Sequence, residues 1–480
     1  MKSLVKNSFY NILYVILNTL FPLLTSMVVS RVLLAEGVGK VAYAQTFVSY
    51  FTTFASAGIL TYGLREIAKN QDDSEKTSDV FSELLLLNFI LTFLAVLIFL
   101  VLILCINSFR ENIILYFVCG LHLFFNFINV DWLFKGKEEY GYIVLRSAIV
   151  KIISFICIVI FVKEQKDFIV YALLSSLALG GNNLFNIFYS RKYARFHLKN
   201  ISISKHLRPV IIITLASFFG TIYNKIDITM LGIFSNDSAI GLYSNAHKSV
   251  NIIISLTTAL TAVFMPRLSL LFNKEREEFS NALTKGTNLI SLLSIPTAVG
   301  LCILAPYIVK VLYGESFVGS GKLLRTFSIL VIIISFGDLF CYQTLIAIGY
   351  EKLRLICNIV CVFINITLNL IFIPIYNDWG AVIASILSEF LINFFLLIFV
   401  LRKIKFRFPY MNFFKSVLSA IVMGVAVYGI TLLSVSNFII CLVGFVVGIL
   451  VFSICSLILK NDSFILIVKQ TKRLIKKGNK

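Results

Sequence analysis

Two ionisable side chains, Lys225 and Asp227, lie inside the apolar stretch PVIIITLASFFGTIYNKIDITMLGIF at 209–234. A Lys or Asp at the centre of a membrane helix costs roughly 2.5 to 3.5 kcal/mol, whereas each Leu, Ile, Phe or Val returns only about 0.3 to 0.6 kcal/mol. The apolar residues of this stretch therefore approximately cancel the cost of the two charges. We expect such a helix to need water, a partner charge or a bound anion beside these residues.

Helical geometry separates the two residues, because positions two apart point about 200° away from each other. Asp227 has only Gly220 and Asn224 behind it at helical spacing, so we expect it to contact a neighbouring helix. Lys225 instead continues a polar row at three- and four-residue steps. This row comprises Thr214, Ser217, Thr221, Lys225, Thr229 and Gly232.

The next apolar stretch carries a similar polar row around a second lysine. It comprises Gly241, Ser244, Asn245, Lys248, Asn251, Ser255 and Thr258, and shorter rows contain Asn18 in the first stretch and Lys151 in the fifth. Rows that continue past the charges favour a water-filled, cationic cavity, whose natural ligand is an anion such as a pyrophosphate. Buried ion pairs are the alternative interpretation, for example Asp227 with Lys248 or Glu389 with Lys151. Asp338 is a further acidic residue within an apolar stretch.

The stretches that must position these residues dominate the chain, which has 480 residues and is 59% hydrophobic and 14% charged. Apolar runs of roughly 20 residues, long enough to cross a bilayer, recur about fourteen times. They lie at 8–33, 40–62, 80–105, 112–134, 141–162, 167–190, 209–234, 239–265, 281–305, 323–347, 353–375, 379–401, 412–434 and 437–459. The sequence thus predicts an all-α polytopic membrane protein.

The loops indicate an orientation. With both termini in the cytoplasm, cytoplasmic segments hold roughly thirty Lys and Arg residues and external loops about six, as the positive-inside rule requires. The net charge of +19 is therefore a feature of topology and of contact with anionic membrane lipids, and no nucleic-acid partner is predicted. We expect the protein to lie in the cytoplasmic, or inner, membrane.

Segments outside the predicted spans are too short for a soluble catalytic or nucleotide-binding domain. The stretch GESFVGSGKL at 314–323 lacks a glycine at Ser316 and a Ser or Thr at Leu323, so it is not a phosphate loop. The histidines form no metal motif, and the nine cysteines include no CxxC pair. We predict no enzyme activity, no cofactor and no metal site.

A weak internal repeat organises the helices. GKVAYAQT at 39–46 resembles GLYSNAHK at 241–248, and GKE at 136–138 resembles GYE at 349–351. The offsets of about 200 residues predict two six-helix lobes related as a repeat, with a cavity between them. We place one lobe at 1–200 and the other at 201–405, and assign two further helices and a basic cytoplasmic tail to 406–480.

Several of these segments resemble Wzx-type oligosaccharide flippases of the MOP exporter superfamily, which are relatives of MATE exporters and MurJ flippases. The opening is similar in its Ser-Arg-Val-Leu, Gly-x-Gly and Gly-x-Arg-Glu-Ile-Ala-Lys elements. YNKIDITMLG with IGLYSNAHK resembles the seventh and eighth helices of the family, and QTLIAIGYEK the connection between the tenth and eleventh. The likeness covers roughly the first 400 residues.

The resemblance implies alternating access by two lobes and transport of an undecaprenyl-pyrophosphate-linked oligosaccharide for O-antigen or capsule synthesis. Basic cavity residues of the family match Arg31, Lys151, Lys225 and Lys248, and Asn251 lies on the row of Lys248. Arg65 matches a residue at the inner end of the second helix and is a candidate for the gate. Asp227, Asp338 and Glu389 complete the candidates for gating or coupling.

Other functions stay open at this point. A MATE-like drug or cation antiporter would favour an acidic cavity, and a glycosyltransferase or polymerase would need a large external loop with catalytic side chains. A non-transporting component of a glycan-assembly complex would not need charges at mid-membrane. The expected partners are the lipid-linked oligosaccharide, membrane lipids, and a polysaccharide polymerase with its chain-length machinery.

Overall fold

The computed structural model describes residues 4–198, 201–262, 264–272, 275–404, 406, 408–466 and 468–469. Every regular element in these ranges is a helix, which confirms the all-α prediction. A helix satisfies its own backbone hydrogen bonds, so apolar segments of this length fold as helices where water is absent.

The helices form two compact units, Met1–Gly241 and Leu242–Lys480. The first unit contains α1 (Leu4–Lys69), α2 (Ser74–Cys105), α3 (Asn107–Arg110), α4 (Ile113–Phe124), α5 (Asp131–Gly136), α6 (Tyr140–Phe161), α7 (Phe168–Gly180), α8 (Asn182–Ser190), α9 (Ser204–Phe234) and the start of α10 (Asp237–Thr261). The second contains the rest of α10, α11 (Phe264–Phe272), α12 (Arg276–Tyr313), α13 (Val318–Gly337), α14 (Thr344–Ala347), α15 (Glu351–Tyr376), α16 (Asp378–Lys403), α17 (Tyr410–Thr431) and α18 (Asn437–Ile458).

Packing therefore groups α9, the seventh predicted span, with the N-terminal helices. The predicted lobes at 1–200 and 201–405, with 406–480 appended, rest on the internal repeat and on the helix count. Those boundaries stay a prediction.

Twelve helices in the described residues are long and apolar enough to cross a membrane. The first of them, Leu13–Lys69, covers two predicted spans, and the fourth predicted span corresponds to the shorter apolar helix Ile113–Ile128. The chain is thus a multi-pass membrane protein, and the count of about fourteen spans is approximate.

The first two spans join without a loop because α1 bends at Leu34. This residue has φ 57° and ψ −174°, a conformation outside the helical region and unusual for a residue with a Cβ atom. The chain changes direction there and continues directly into the second half of α1.

Two apolar clusters stabilise the units. In the first unit, α1, α2 and α9 pack around Trp132 at the start of α5, where Ile59, Leu84 and Val210 are also fully buried. In the second unit, the last two helices pack on α12 through a cluster that includes Leu292, Ile295, Leu304, Met423, Val427 and Phe452. The two C-terminal helices are therefore part of the second unit.

Gly39 and Gly241 begin the two copies of the repeat. Within the first unit, each of them lies close to a backbone carbonyl of the other's helix. A Cβ atom at Gly39 would lie 1.7 Å from the Asp237 carbonyl oxygen, and one at Gly241 would lie 2.0 Å from the Ala35 carbonyl oxygen. Only a residue without a side chain permits this approach of α1 to the start of α10.

Candidate functional site

The polar row of α9 faces the second half of α1. Tyr50 Oη and Thr229 Oγ1 are 2.7 Å apart, and Thr53 Oγ1 lies 3.1 Å from Thr221 Oγ1. These hydroxyls bond to each other across the two helices. Thr221 and Thr229 therefore have hydroxyl partners on α1, whereas the sequence favoured water beside their row.

Small residues bring the same two helices close together. A Cβ atom at Gly58 would lie 2.3 Å from both Thr214 Oγ1 and the Val210 carbonyl oxygen, and one at Gly232 would lie 2.0 Å from the Tyr43 ring. Close approach with hydrogen bonds between the helices is how membrane helices associate without a hydrophobic drive. We call this contact between residues 43–58 of α1 and residues 210–232 of α9 the seam.

The two charges of α9 differ in burial. Asp227 is buried, with 8% of its surface exposed, whereas Lys225 is half-buried. Within the part of the chain that the structure describes, no acceptor is hydrogen-bonded or ion-paired to Lys225 Nζ. Its amine therefore has no acceptor among these residues, although it lies on the same row as Thr221 and Thr229, which face α1.

Lys151 of α6 already has a protein partner. Its Nζ donates to Asn18 Oδ1 at 2.5 Å, and it lies 5.6 Å from the centre of the Phe21 ring. The side chain is buried and connects α6 to the first half of α1.

The other predicted basic and amide residues are more accessible. Arg31 is exposed, three residues before the bend of α1. Arg65 is also exposed, with its Nε 3.7 Å from Glu66 Oε1. Lys248 is half-buried, and Asn251 is exposed with its Nδ2 3.1 Å from the ring of His247.

The predicted acids of the second unit are held by neutral donors. Asp338, at the start of a π-helical turn after α13, accepts hydrogen bonds from Thr261 and from Gln343 Nε2, the latter at 3.2 Å. Glu389 of α16 accepts from Asn393 Nδ2 at 3.1 Å. Both carboxyl groups are half-buried, and their proposed coupling role stays a prediction.

In the described ranges, no group of three or more His, Cys, Asp or Glu side chains could hold a metal ion. All nine cysteines lie in these ranges and are free. These observations do not test the prediction that the protein has no metal and no cofactor.

A neutral polar pocket in the first unit did not emerge from the sequence. It has a volume of about 330 Å³, and α1, the Ile113–Ile128 segment and the sixth predicted span contribute to it. Its polar side chains are Thr52, Thr53, Ser56, His122, Asn126, Asn129 and Asn183. The spacing of His122, Asn126 and Asn129 is helical, and this signal in the fourth predicted span could have indicated a polar face.

A second missed feature is a buried cluster around Glu83 of α2. Its carboxylate accepts from Lys205 Nζ at 2.8 Å, from the Ser202 backbone N–H at 2.9 Å, and lies 2.8 Å from His206 Nε2. The other ring nitrogen of His206 is 2.9 Å from Tyr62 Oη of α1. We call this the Glu83 cluster. It joins α1 and α2 to the start of α9, beyond the seam.

Comparison with known families and curated proteins identifies relatives. The family model described as "Polysaccharide biosynthesis protein" matches residues 4–272. A protein of Shigella dysenteriae named "Putative O-antigen transporter" is 24% identical over 385 residues, which cover 79% of this chain and 96% of that protein. The name of this relative describes a transporter, in agreement with the predicted absence of catalysis.

Solved structures share the fold. The lipid II flippase MurJ in an inward closed conformation has a TM-score of 0.75 at 17% identity, covering 95% of this chain and 99% of MurJ. An inward-facing multidrug resistance MATE family transporter of the MOP superfamily has a TM-score of 0.66 at 18% identity, covering 81% of this chain and 94% of that transporter. These likenesses confirm the predicted fold class, and with the family match they confirm the resemblance to Wzx-type proteins.

The Glu83 cluster predicts that a substitution of Glu83 destabilises the protein more than a substitution of Asp79, another acidic residue of α2. Glu83→Ala leaves the buried His206 ring and the Ser202 N–H without their acceptor. We expect it to lower the free energy of unfolding by roughly 2 to 4 kcal/mol. Asp79→Asn is the matched control one turn earlier. Its carboxylate also contacts a histidine, His197, at 3.0 Å, but is 56% exposed, so its loss should cost less than about 1 kcal/mol.

The measurement is the thermal unfolding midpoint of the detergent-purified chain, with limited proteolysis of the segment between α8 and α9. Glu83→Ala should lower the midpoint and expose that segment, while Asp79→Asn leaves both unchanged. Equal behaviour of the two variants would show that the cluster does not stabilise this end of α9.

Proposed function

The chain belongs to the polysaccharide biosynthesis protein family, and from this premise we propose that it moves lipid-linked oligosaccharides across the cytoplasmic membrane. The neutral polar pocket of the first unit carries the proposal. Sugar hydroxyls both donate and accept hydrogen bonds, and the pocket offers hydroxyl, amide and imidazole groups that do the same. Its volume of about 330 Å³ is at the lower end of ligand pockets, which hold roughly 300 to 1,000 Å³. One or two sugar rings are the natural occupants.

The finer proposal concerns the anchor of the glycan. A pyrophosphate carried by undecaprenol needs cationic donors, and Arg31, Lys151, Lys225 and Lys248 are the candidates, with Asn251 beside the last. Lys225 is the strongest of them, because its ammonium has no partner among the described residues. Lys151 would first have to leave Asn18.

Movement of α9 against α1 supplies alternating access in this proposal. The seam includes hydroxyl pairs, each worth about 0.5 to 1.5 kcal/mol, glycine contacts, and the Phe218 ring of α9 against the rings of Tyr50 and Phe54 of α1. These contacts are neutral, so their separation breaks no ion pair. Arg65 and the Glu83 cluster would control one end of it, and Asp227, buried on α9, would brace this helix or couple it to an ion. Asp338 and Glu389 are the coupling candidates of the second unit.

The proposed membrane topology and partners follow from the same function. Both termini would lie in the cytoplasm, and a polymerase with its chain-length machinery would receive the transported units. O-antigen and capsule repeat units share the required chemistry of a pyrophosphate attached to sugars.

A multidrug exporter remains the second interpretation. The likeness to the MATE transporter at 18% identity concerns the fold alone. A cavity for cationic drugs would favour acids, and the unpartnered ammonium of Lys225 disfavours a cation.

Deletion of the gene in its native host tests the function. We expect complete repeat units to accumulate on their lipid carrier and surface glycan to disappear, because assembly continues while transport stops. The lipid-linked fraction is measured by mass spectrometry, and the wild-type gene should restore the glycan. Incomplete repeat units would indicate an assembly role, and unchanged glycan and intermediates would contradict the proposal.

Cross-linking tests the movement of the seam. In a chain whose native cysteines are replaced, Thr53→Cys with Thr221→Cys should form a disulfide, because the two hydroxyls are 3.1 Å apart. Ser419→Cys with Ser456→Cys is the matched control between α17 and α18, where the hydroxyls are 3.4 Å apart.

Transport is followed in proteoliposomes as protection of a polyprenyl-pyrophosphate-linked oligosaccharide from external periodate. Oxidation should abolish transport by the seam pair reversibly and leave the control pair active. Full activity of the cross-linked seam would rule out its opening during transport.

Substitution of Lys225 tests the anchor in the same assay. Loss of a charge-assisted contact worth about 1.5 to 3 kcal/mol should lower transport by Lys225→Ala roughly 10- to 100-fold, with Lys225→Arg retaining most of it. Lys248→Ala should behave similarly, whereas Lys322→Ala, at an exposed lysine of α13, should have no effect. Normal transport by both the Lys225 and Lys248 variants would assign these lysines a role in packing only.

A further inference from the structure

The neutral polar pocket of the first unit also restricts the charge of the sugar that it can hold. Among the residues that the structure describes, ten line this pocket, and none of these ten is a Lys, Arg, Asp or Glu. His122 is the one lining residue whose side chain can gain a charge near neutral pH, and no carboxylate of the pocket wall stabilises its charged form. A charged group of a ligand would therefore enter the pocket without a partner of opposite sign.

The hydroxyl groups of α1 in this pocket are already oriented by their own helix. Thr52 Oγ1 donates to the Val48 carbonyl oxygen at 2.7 Å, and Ser56 Oγ donates to the Thr52 carbonyl oxygen at 2.8 Å. A hydroxyl group has one proton and two lone pairs. Because each proton is engaged within α1, the two oxygens offer a ligand lone pairs only. They can accept hydrogen bonds from a ligand but cannot donate to it.

The buried amide groups of the pocket add few donors. Asn126 Nδ2 donates to Thr92 Oγ1 at 3.0 Å, and Asn183 Nδ2 donates to the Phe125 carbonyl oxygen at 3.1 Å. An amide nitrogen has two N–H groups, so each of these two retains at most one for a ligand. The wall thus combines acceptors on α1 with a small number of single donors opposite them.

A sugar hydroxyl matches this combination, because it can donate to the oxygen of Thr52 or Ser56 and accept from an amide N–H. The N–H of an N-acetyl group can donate to the same oxygens. A carboxylate has acceptors only, and it meets lone pairs where it needs protons. Its transfer out of water is then compensated neither by a cation nor by a set of donors.

We propose that the pocket selects uncharged sugars and excludes acidic ones, so that the ring held here is a neutral hexose or an N-acetylhexosamine and not a uronic acid. Thr52 and Ser56 are the residues that determine this specificity. The inference rests on the proposed function, since it assigns the class of sugar that the protein transports. The pyrophosphate of the substrate binds elsewhere, because the pocket wall contains no cationic side chain.

The test compares three substrates in the periodate-protection assay with the wild-type chain in proteoliposomes. They are polyprenyl-pyrophosphate-linked disaccharides of glucose, of glucuronic acid, and of the methyl ester of glucuronic acid. Both rings of each disaccharide are the same, so the charge of the ring in the pocket is defined whichever ring enters it. We expect similar rates for glucose and the ester, and a rate roughly 10- to 100-fold lower for the acid, the effect of leaving a charged group without its hydrogen bonds.

A cation added to the pocket wall should reverse the exclusion. Ser56→Lys removes no bond between helices, because the hydrogen bond that it loses lies within α1. It should raise the rate for the acidic disaccharide about tenfold or more, whereas Ser56→Gln, of similar length without the charge, should not. Ser49→Lys is the matched control on the same helix. Ser49 Oγ also donates within α1, to the Thr46 carbonyl oxygen at 2.6 Å, but it does not line the pocket, so the ratio of acidic to neutral transport should equal that of the wild type.

The outcomes separate this inference from the function on which it rests. Equal rates for the acid and its ester in the wild type would overturn the selection and leave the proposed function intact, and this comparison requires no variant. An unchanged preference in correctly folded Ser56→Lys would also overturn the proposal, because the selection would then lie outside the pocket. Failure of the wild type to move the neutral disaccharides would contradict the proposed function and this inference with it.

Discussion

Polar groups at the level of the hydrocarbon have no water to bond to, and each must find its partner within the protein or in a ligand. The first unit meets this constraint in several ways. Thr221 and Thr229 of α9 bond to hydroxyls of α1, Lys151 bonds to Asn18, and Glu83 collects three donors. Other buried atoms of this unit, among them Thr214 Oγ1 and Nε and Nη1 of Arg146, have no hydrogen-bond partner among the described residues.

The strength of these contacts differs along α9. Hydroxyl pairs and glycine contacts form the seam, while the Glu83 cluster beyond it contains a buried carboxylate with charged and ring donors. Removing one member of a charged buried group costs more than separating two hydroxyls. The helix therefore has a firmly held end and a more easily separated middle, a distribution that suits a helix pivoting during transport.

The first unit also contains chemically distinct surfaces, as the proposed lipid-linked sugar substrate would require. The pocket around Asn126 and Asn183 is neutral and polar, and sugar hydroxyls are its proposed ligands. Lys225 carries the charge that is proposed to bind an anion. In this proposal sugar and phosphate meet different environments, because neutral hydrogen bonding and charge cannot be combined at one surface without leaving some group unsatisfied.

The sequence by itself determined the helical class, the positions of most spans and the different directions in which Lys225 and Asp227 point from their helix, because these depend on local composition and on the period of one helix. The sequence also identified Gly39 and Gly241 as part of the repeat, but it did not indicate that they lie where α1 approaches the start of α10. Only the tertiary structure decided that the row of Thr221 faces α1, because a polar row looks the same whether it bonds to water or to another helix. The pocket joins Thr52, His122 and Asn183, and the Glu83 cluster joins α2 to His206. Such partners are distant in the chain, and no local pattern specifies which helices pack together.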